Sequence, residues 1–205
     1  MAGRKAAGRS NDPDGLRKRI LDAAMACFQR AGYGGTNMRE VMEAAGTTSG
    51  ALHHHFAAKK DLGRAVIDER VARAVEETWI GKVAAARNAI DGVLQVFADV
   101  ASELDDRRRV EGCPVSNLAV ELALADEDFR CSVDRLFDRW RCAIAGKLKQ
   151  DIAGGARPPF SAEEWALLAV AQFSGAMAMA KASQSSRPLR DSARLLKRLS
   201  RPPAA

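Results

Sequence analysis

The chain has 205 residues, of which 47% are hydrophobic and 28% are charged, a composition that supports a packed core. No run of 18 or more apolar residues occurs in it, so we expect no membrane-spanning helix. The first ten residues include basic side chains but no apolar segment, which argues against a secretory signal. These features together predict a cytoplasmic protein.

Positive charge is concentrated in the first third of the chain. Residues 1–65 contain 11 Lys and Arg against 6 Asp and Glu, whereas residues 66–205 contain 21 against 20. A basic segment joined to a nearly neutral one predicts a polyanionic partner for the basic segment alone. A soluble chain with a basic tail explains the same distribution, so charge by itself leaves both interpretations open.

Apolar side chains recur every three or four residues along most of the chain, and this period predicts an all-α protein. Residues 1–13 lack the period and are expected to form a disordered basic arm. Thr36 and residues 47–49 are placed to cap two short helices, which Gly46 separates. The helices are predicted at about 13–31, 36–45, 49–56, 59–79, 87–106, 114–122, 127–152, 161–185 and 188–199.

The two short helices have the dimensions of a helix-turn-helix, in which the second helix enters the major groove of DNA. Val41 and Ala45 give the first helix an apolar side, and Leu52 anchors the second. Other helical hairpins share these dimensions, so the spacing alone is only moderately specific.

The sequence around these helices resembles the DNA-binding region of the TetR family, over residues 14–63 in order and without a gap. The stretches that carry the resemblance are ILDAA (20–24), FQRAGY (28–33), TNMREVMEAAG (36–46), TSGALHHHF (48–56) and KKDL (59–62). The resemblance implies a three-helix DNA-binding domain at 14–63 and a larger helical effector-binding and dimerisation domain at 64–200. It also implies a homodimer that reads a palindromic operator in double-stranded DNA.

The resemblance further implies which side chains face DNA. The hydroxyls and free N–H groups at the start of the recognition helix are expected to meet bases and phosphates. His53 stands where the family usually has a tyrosine that touches phosphate, and Lys5 and Arg9 in the arm are within reach of the minor groove or the backbone. The predicted DNA-contacting residues are Thr36, Asn37, Arg39, Thr47, Thr48, Ser49, Gly50, His53, His54 and Lys60.

No catalytic or metal-binding pattern accompanies this region. The three histidines at 53–55 point about 100° apart on a helix and cannot converge on one ion. The four cysteines form neither a CxxC pair nor a zinc-ligand spacing, and there is no Walker loop, nucleophile elbow or dinucleotide fingerprint. We therefore expect no enzyme activity, no metal and no cofactor.

The predicted helices at about 127–152 and 161–185 are the expected dimer interface. The segment GAMAMA (175–180) supplies small and adaptable side chains that permit close helix crossing. Ordinary core packing within one chain would use the same residues.

Cys113 lies in the stretch GCPVSNLAVE (112–121), which resembles a segment of a TetR subgroup. Some repressors near this subgroup sense electrophiles or oxidants through a cysteine. A helix N-terminus favours the thiolate, and Lys181 would lower the pKa of Cys113 further if the fold brought them together. The alternative is a buried cysteine that only packs.

A reversible small-molecule effector is the more general expectation for the second domain. Large apolar side chains are the candidate walls of its pocket, although each could equally belong to the core. These candidates are Trp79, Phe97, Leu118, Trp140 and Phe173.

The sequence as a whole favours a homodimeric repressor that a small molecule, an electrophile among the candidates, releases from its operator. An architectural DNA-binding protein that answers no ligand is the alternative, and the sequence does not separate repression from activation.

Overall fold

The computed structural model describes residues 13–107 and 109–200, and nine helices follow one another through these residues with no strand among them. Residues 1–12 of the predicted arm, which include Lys5 and Arg9, lie outside the described residues. The predicted all-α fold is confirmed. The helices are α1 (Pro13–Ala31), α2 (Met38–Ala44), α3 (Ser49–His55), α4 (a continuous run from Lys59–Ala65 to Gly81–Ala85), α5 (Ala89–Asp105), α6 (Pro114–Leu122), α7 (Glu127–Ala153), α8 (Ala162–Ser183) and α9 (Arg187–Leu199).

Helix α2 begins one residue later than predicted, because Asn37 and not Thr36 is its N-cap. The Asn37 side chain accepts a hydrogen bond from the Glu40 N–H at 2.9 Å, and the Glu40 carboxylate accepts one from the Asn37 N–H at 3.3 Å. This is a capping box, which satisfies two otherwise unpaired donors. Thr36 is only 2% exposed, and its hydroxyl donates to the carbonyl of Gly32 at 2.8 Å. The predicted capping role of Thr36 is therefore wrong, since its side chain closes the loop before the helix.

Helix α3 begins where the sequence predicted a cap. Gly46, at φ +60°, ends α2 in a left-handed conformation that glycine adopts without strain. The Thr48 hydroxyl then accepts from the Ala51 N–H at 3.3 Å and starts α3, while Leu52 is buried and holds the helix against the rest of the domain.

Helix α4 is longer than its neighbours and contains two π-helical segments, Val66–Val71 and Glu76–Ile80. At their ends the Ala72 N–H donates to the Ile67 carbonyl and the Gly81 N–H to the Glu76 carbonyl, each five residues back. The helix was predicted, but these wider turns were not. The predicted domain boundary at 63/64 falls inside α4, so one helix connects the two predicted domains.

Helix α1 is fastened to α4 by charged side chains. The Arg17 guanidinium makes two hydrogen bonds to the Glu69 carboxylate, at 2.6 and 2.5 Å, and Arg70 donates to Asp22 at 2.5 Å. Bidentate pairs of this kind fix orientation as well as distance. The face of α4 that carries Glu69 and Arg70 is therefore held in register with α1.

Helix α8 packs between α7 and α9. It is the one helix among the described residues that is long and apolar enough to cross a membrane. Trp165, Ala169 and Phe173 on this helix are nevertheless buried against neighbouring helices. A core helix of a folded domain accounts for its apolar character.

Gly63 marks the closest approach between α4 and its surroundings. A Cβ there would lie 2.7 Å from the Tyr33 ring and 3.0 Å from the Phe129 ring. Replacing Gly63 with Ala should lower the free energy of unfolding by about 1–3 kcal/mol, because two packed rings must move. Gly50 is the matched control, since nothing lies within 4 Å of its added Cβ, and alanine there should be neutral or stabilising by up to about 1 kcal/mol. Chemical denaturation of both variants measures the difference, and equal stabilities would contradict the described packing.

Candidate DNA interface and ligand cavity

The outer face of α3 is formed by small polar residues and two imidazoles. At 100° per residue, Ser49, Gly50, His53 and His54 share an arc of about 140°, and all four are exposed. Leu52 lies on the opposite side and is buried. The N-terminal turn of α3 therefore presents hydroxyl, imidazole and free N–H groups to solvent, as donors and acceptors for base edges and phosphates.

Two predicted contacts on α2 are also exposed. Asn37 is at the helix start, and the Arg39 side chain is 83% exposed, paired with Glu43 at 2.8 Å. An exposed pair between residues four apart is weak and exchanges readily for a phosphate. Thr36 offers no comparable surface, because its side chain is buried.

Lys60 is exposed but already has partners. Its ammonium lies 2.7 Å from a carboxylate oxygen of Asp126 and 2.9 Å from one of Asp128, at the start of α7. The hydrogen bond to Asp126 raises the pKa of Lys60, and the bond from Lys60 lowers the pKa of Asp126. The structure thus places the predicted phosphate contact in an intramolecular ion-pair cluster.

The loop between α1 and α2 docks on the larger helical region. The Glu121 carboxylate, on α6, accepts hydrogen bonds from the backbone N–H groups of Tyr33, at 2.8 Å, and Gly34. The Tyr33 ring packs edge-on against Phe129 of α7, with ring centroids 5.2 Å apart, and the Lys59 ammonium lies 4.3 Å from the Tyr33 centroid. The orientation of α2 therefore depends on residues far away in the sequence.

A cavity of about 430 Å³ adjoins the end of α1 and the start of α6, where Gln29 and Cys113 line it. Its walls come from α1, α4, α5, α7, α8 and the segment before α6. Trp79 is at the centre of its aromatic wall, with ring centroids 4.8 Å from Trp140 and 4.7 Å from Phe173. The volume is that of a typical small-molecule site, and the lining combines the aromatic wall with charged side chains, namely Asp22, Glu103, Arg107 and Glu111.

The predicted pocket residues divide into three groups. Trp79, Trp140, Phe173 and Cys113 line the cavity. Phe97 and Leu118 do not, since both are buried core residues, and Phe97 packs behind the aromatic wall. Lys181 lines a different cleft, of about 470 Å³, which Cys113 also lines.

Cys113 is the N-cap residue of α6, as the sequence predicted, but its thiol is buried. Burial raises the pKa of Cys113, although backbone N–H groups at the start of α6 favour the thiolate. The backbone N–H groups at the helix start lower this pKa as predicted, but desolvation outweighs them, and the buried thiol agrees with the alternative of a cysteine that packs. Lys181 donates instead to the Asn117 side chain at 3.4 Å.

Comparison with models of protein families gives two matches that together span most of the chain. The sequence model for bacterial regulatory proteins of the tetR family matches residues 20–66, and the model for the LmrA/YxaF-like transcriptional regulator C-terminal domain matches residues 89–195. The second match alone covers more than half of the chain. The chain belongs to the TetR family. It is a DNA-binding transcriptional regulator with a helix-turn-helix, and proteins of this family are typically repressors.

Individual relatives of this TetR-family regulator cover nearly the whole chain. The transcriptional regulator LmrA of Bacillus subtilis is 25% identical over 174 residues, 84% of this chain and 90% of LmrA. The crystal structure of a TetR regulator from Chloroflexus aurantiacus is 28% identical with a TM-score of 0.78, covering 90% of this chain and 93% of that one. The fold also matches that of a cysteine mutant of CifR complexed with 26-bp double-strand operator DNA. The TM-score is 0.71, and the identity is 20% over 93% of this chain and 98% of the CifR chain.

Sequence reasoning about this TetR-family regulator missed the contacts between its two parts. Glu121 is the last residue of the stretch 112–121, yet nothing in this stretch indicates that Tyr33, 88 residues earlier, is its partner. Asp126 is an ordinary N-cap, and Asp128 belongs to the acidic first turn that many helices have. No spacing rule links either feature to the helix-turn-helix.

The thiols of this regulator should differ sharply in reactivity. At about pH 7, iodoacetamide should alkylate exposed Cys142 first and buried Cys113 slowly. A raised pKa leaves less thiolate at neutral pH, so the rate at Cys113 should continue to rise at a pH where an ordinary thiol has levelled off. Peptide mapping by mass spectrometry across a pH series measures both rates, with Cys142→Ser as the control for assignment. Equal rates at Cys113 and Cys142 near pH 7 would instead indicate an activated thiolate.

Proposed function

We propose that this TetR-family regulator is a homodimeric repressor that leaves a palindromic operator when a small molecule occupies the aromatic cavity. The observation that carries the proposal is the exposed arc of α3, with a capped N-terminus and a buried Leu52 behind it. Its setting is proposed to be the cytoplasm, where the operator is.

The proposed DNA contacts follow from exposure. Ser49, Gly50, His53 and His54 present themselves on the arc, and Thr48 is exposed at its start. Thr47 is half-buried at the preceding turn, while Asn37 and Arg39 are exposed at the start of α2. Thr36 is left out of this set, since its buried hydroxyl is committed to Gly32.

The cavity is proposed as the effector site because it adjoins the junction with the DNA-binding region. Gln29 of α1 and Cys113, the N-cap of α6, line the cavity. Helix α1 leads into the loop that precedes α2, and Glu121 of α6 contacts this loop. An effector releases DNA only if it favours a conformation that does not span two half-sites. A reversibly bound ligand fits the site better than an electrophile that attacks a deprotonated Cys113, because burial raises the pKa of that thiol.

Selection of bound fragments from genomic DNA at about 150 mM salt tests the operator proposal, since phosphate-only binding weakens at that ionic strength. Enrichment of one short palindrome is the expected result. Binding without sequence preference would favour the architectural alternative. Binding that strengthens transcription from the recovered site would favour activation.

Replacing Arg39 with Gln should weaken operator binding on every sequence alike and reduce the slope of log K against log salt by about 0.9, the contribution of one phosphate contact. Arg73→Gln is the matched control. Arg73 on α4 is 68% exposed and pairs with Glu77 four residues on, as Arg39 pairs with Glu43. Fluorescence anisotropy over a salt series measures both slopes, and a similar change in both variants would remove Arg39 from the interface.

The dimer is proposed to form through α8 and α9. The predicted partner of α8 was the helix at 127–152, but the exposed positions of α7 are mainly charged. Exposed large apolar side chains are found instead on α8 and α9, namely Leu167, Met179, Leu195 and Leu199. Exposed Gly175 and Ala178 on α8 would allow close helix crossing between two copies.

Leu167→Asp and Met179→Asp should each convert the dimer to a monomer, because either places an unpaired charge in the proposed interface. Both side chains are more than half exposed in a single chain, at 51% and 62%, so the fold of each protomer should survive. Val120→Asp is the control, since Val120 on α6 is 89% exposed and lies outside the proposed interface. Sedimentation equilibrium distinguishes the species, and a dimer that persists in both α8 variants would place the interface elsewhere.

A further inference from the structure

The first turn of α4 carries two consecutive lysines, and both are engaged within the chain. The Lys60 ammonium is held between Asp126 and Asp128, at 2.7 and 2.9 Å, and the Lys59 ammonium lies over the Tyr33 ring at 4.3 Å. Arg64, one turn further along α4, lies 3.8 Å from the same Asp128 oxygen. Lys60 and Arg64 therefore face the start of α7, while Lys59 faces the loop between α1 and α2.

The two carboxylates are well placed to keep Lys60. Asp126 is the N-cap of α7, and one of its oxygens accepts from the N–H groups of Asp128 at 2.9 Å and Phe129 at 3.4 Å. These bonds fix the Asp126 side chain and leave its second oxygen for Lys60. The Asp126 carboxylate is therefore already fixed in place, and little conformational entropy is lost when Lys60 pairs with it.

At Lys60, where the resemblance to the TetR family implies a phosphate contact, a DNA phosphate would compete with these carboxylates for the ammonium. Both are anionic oxygen acceptors, and an ammonium donates to either. Each phosphate contact that a protein does make releases condensed counterions, which the salt dependence of binding reports. A lysine that remains on carboxylates contributes neither affinity nor salt dependence.

We propose that Asp126 and Asp128 set the operator affinity of this regulator by withholding Lys60 from the DNA backbone. The inference rests on the proposed operator binding and assigns to two residues of the larger helical region a direct effect on the protein–DNA interface. In the intact chain α4 contributes less positive charge to DNA than its sequence suggests, and removal of the carboxylates restores it.

Five proteins test the proposal on the operator recovered by genomic selection. They are the unchanged chain, Lys60→Gln, the double variant Asp126→Asn with Asp128→Asn, the triple variant that combines all three changes, and a control with Asp134→Asn and Asp138→Asn. Asparagine at 126 retains a good N-cap, so α7 keeps its start. The control removes the same charge from exposed positions further along α7. Anisotropy titrations over a salt series give the affinity and slope of each, and circular dichroism checks the fold.

The double variant should bind the operator about three to ten times more tightly than the unchanged chain, in line with the modest strength of exposed ion pairs. Its slope of log K against log salt should steepen by about 0.9, the value for one additional phosphate contact. Lys60→Gln alone should change the affinity less than twofold, whereas the same change in the double variant should abolish the gain. The control should bind within about twofold of the unchanged chain.

Three results would overturn the proposal. Lys60→Gln could weaken binding equally in both backgrounds, which would mean that Lys60 already contacts phosphate. The double variant could bind no more tightly than the unchanged chain, or the control could gain as much affinity, which would reduce the effect to net charge. Failure of the proposed function is separate, because then the genomic selection itself would recover no operator.

Discussion

The carboxylate of Glu121 accepts hydrogen bonds from two consecutive N–H groups in the loop between α1 and α2, and the placement of the DNA-binding helices depends on this contact. Gly32 lies in the same loop at φ +81°, where a Cβ would come within 3.0 Å of the Glu121 carboxylate. A side chain at this position would be strained by the positive φ and would crowd the Glu121 carboxylate. A charged acceptor also binds N–H donors more strongly than a neutral one.

Helix α6 connects this contact to the aromatic cavity. Its N-cap, Cys113, lines the aromatic cavity, and Glu121 lies in its last turn. Nine helical residues span about 13 Å, so the helix joins the cavity to the loop as a single short element. A displacement of the start of α6 would be carried along this helix to Glu121, and from there to the loop that precedes α2.

Much of the fold could be predicted because its signals are local. Caps and glycine stops lie within a few residues of the helices they bound, as Gly46, Thr48 and the capping box of Ser161 with Glu164 illustrate. The apolar period then identified the long helices with errors of a few residues. The one misplaced cap, Thr36, has the right chemistry for the role, but its hydroxyl found a closer acceptor in Gly32.

The candidate sites were harder to predict, because a side chain's neighbours come from the whole chain. The position of Cys113 at a helix start was right, yet burial reversed the expected direction of its pKa. The exposure of Lys60 was right as well, while its two carboxylate partners lie more than 60 residues away. Four of the seven proposed effector residues share one cavity, since any large apolar side chain at a helical period has a fair chance of facing it.

The two π-helical segments of α4 follow from a mismatch between its sequence and an ideal helix. Ile67, Val71, Val75, Trp79 and Val83 are all buried and recur every four residues. In a straight α-helix a four-residue step drifts by about 40°, so this row would wind around the helix from core to solvent within its length. The wider π turns take up that drift and keep the row on one side. The angle between the lysine-bearing end of α4 and its cavity-lining end is thus a matter of residue count, and one residue gained or lost between them would turn one end against the other by about 100°.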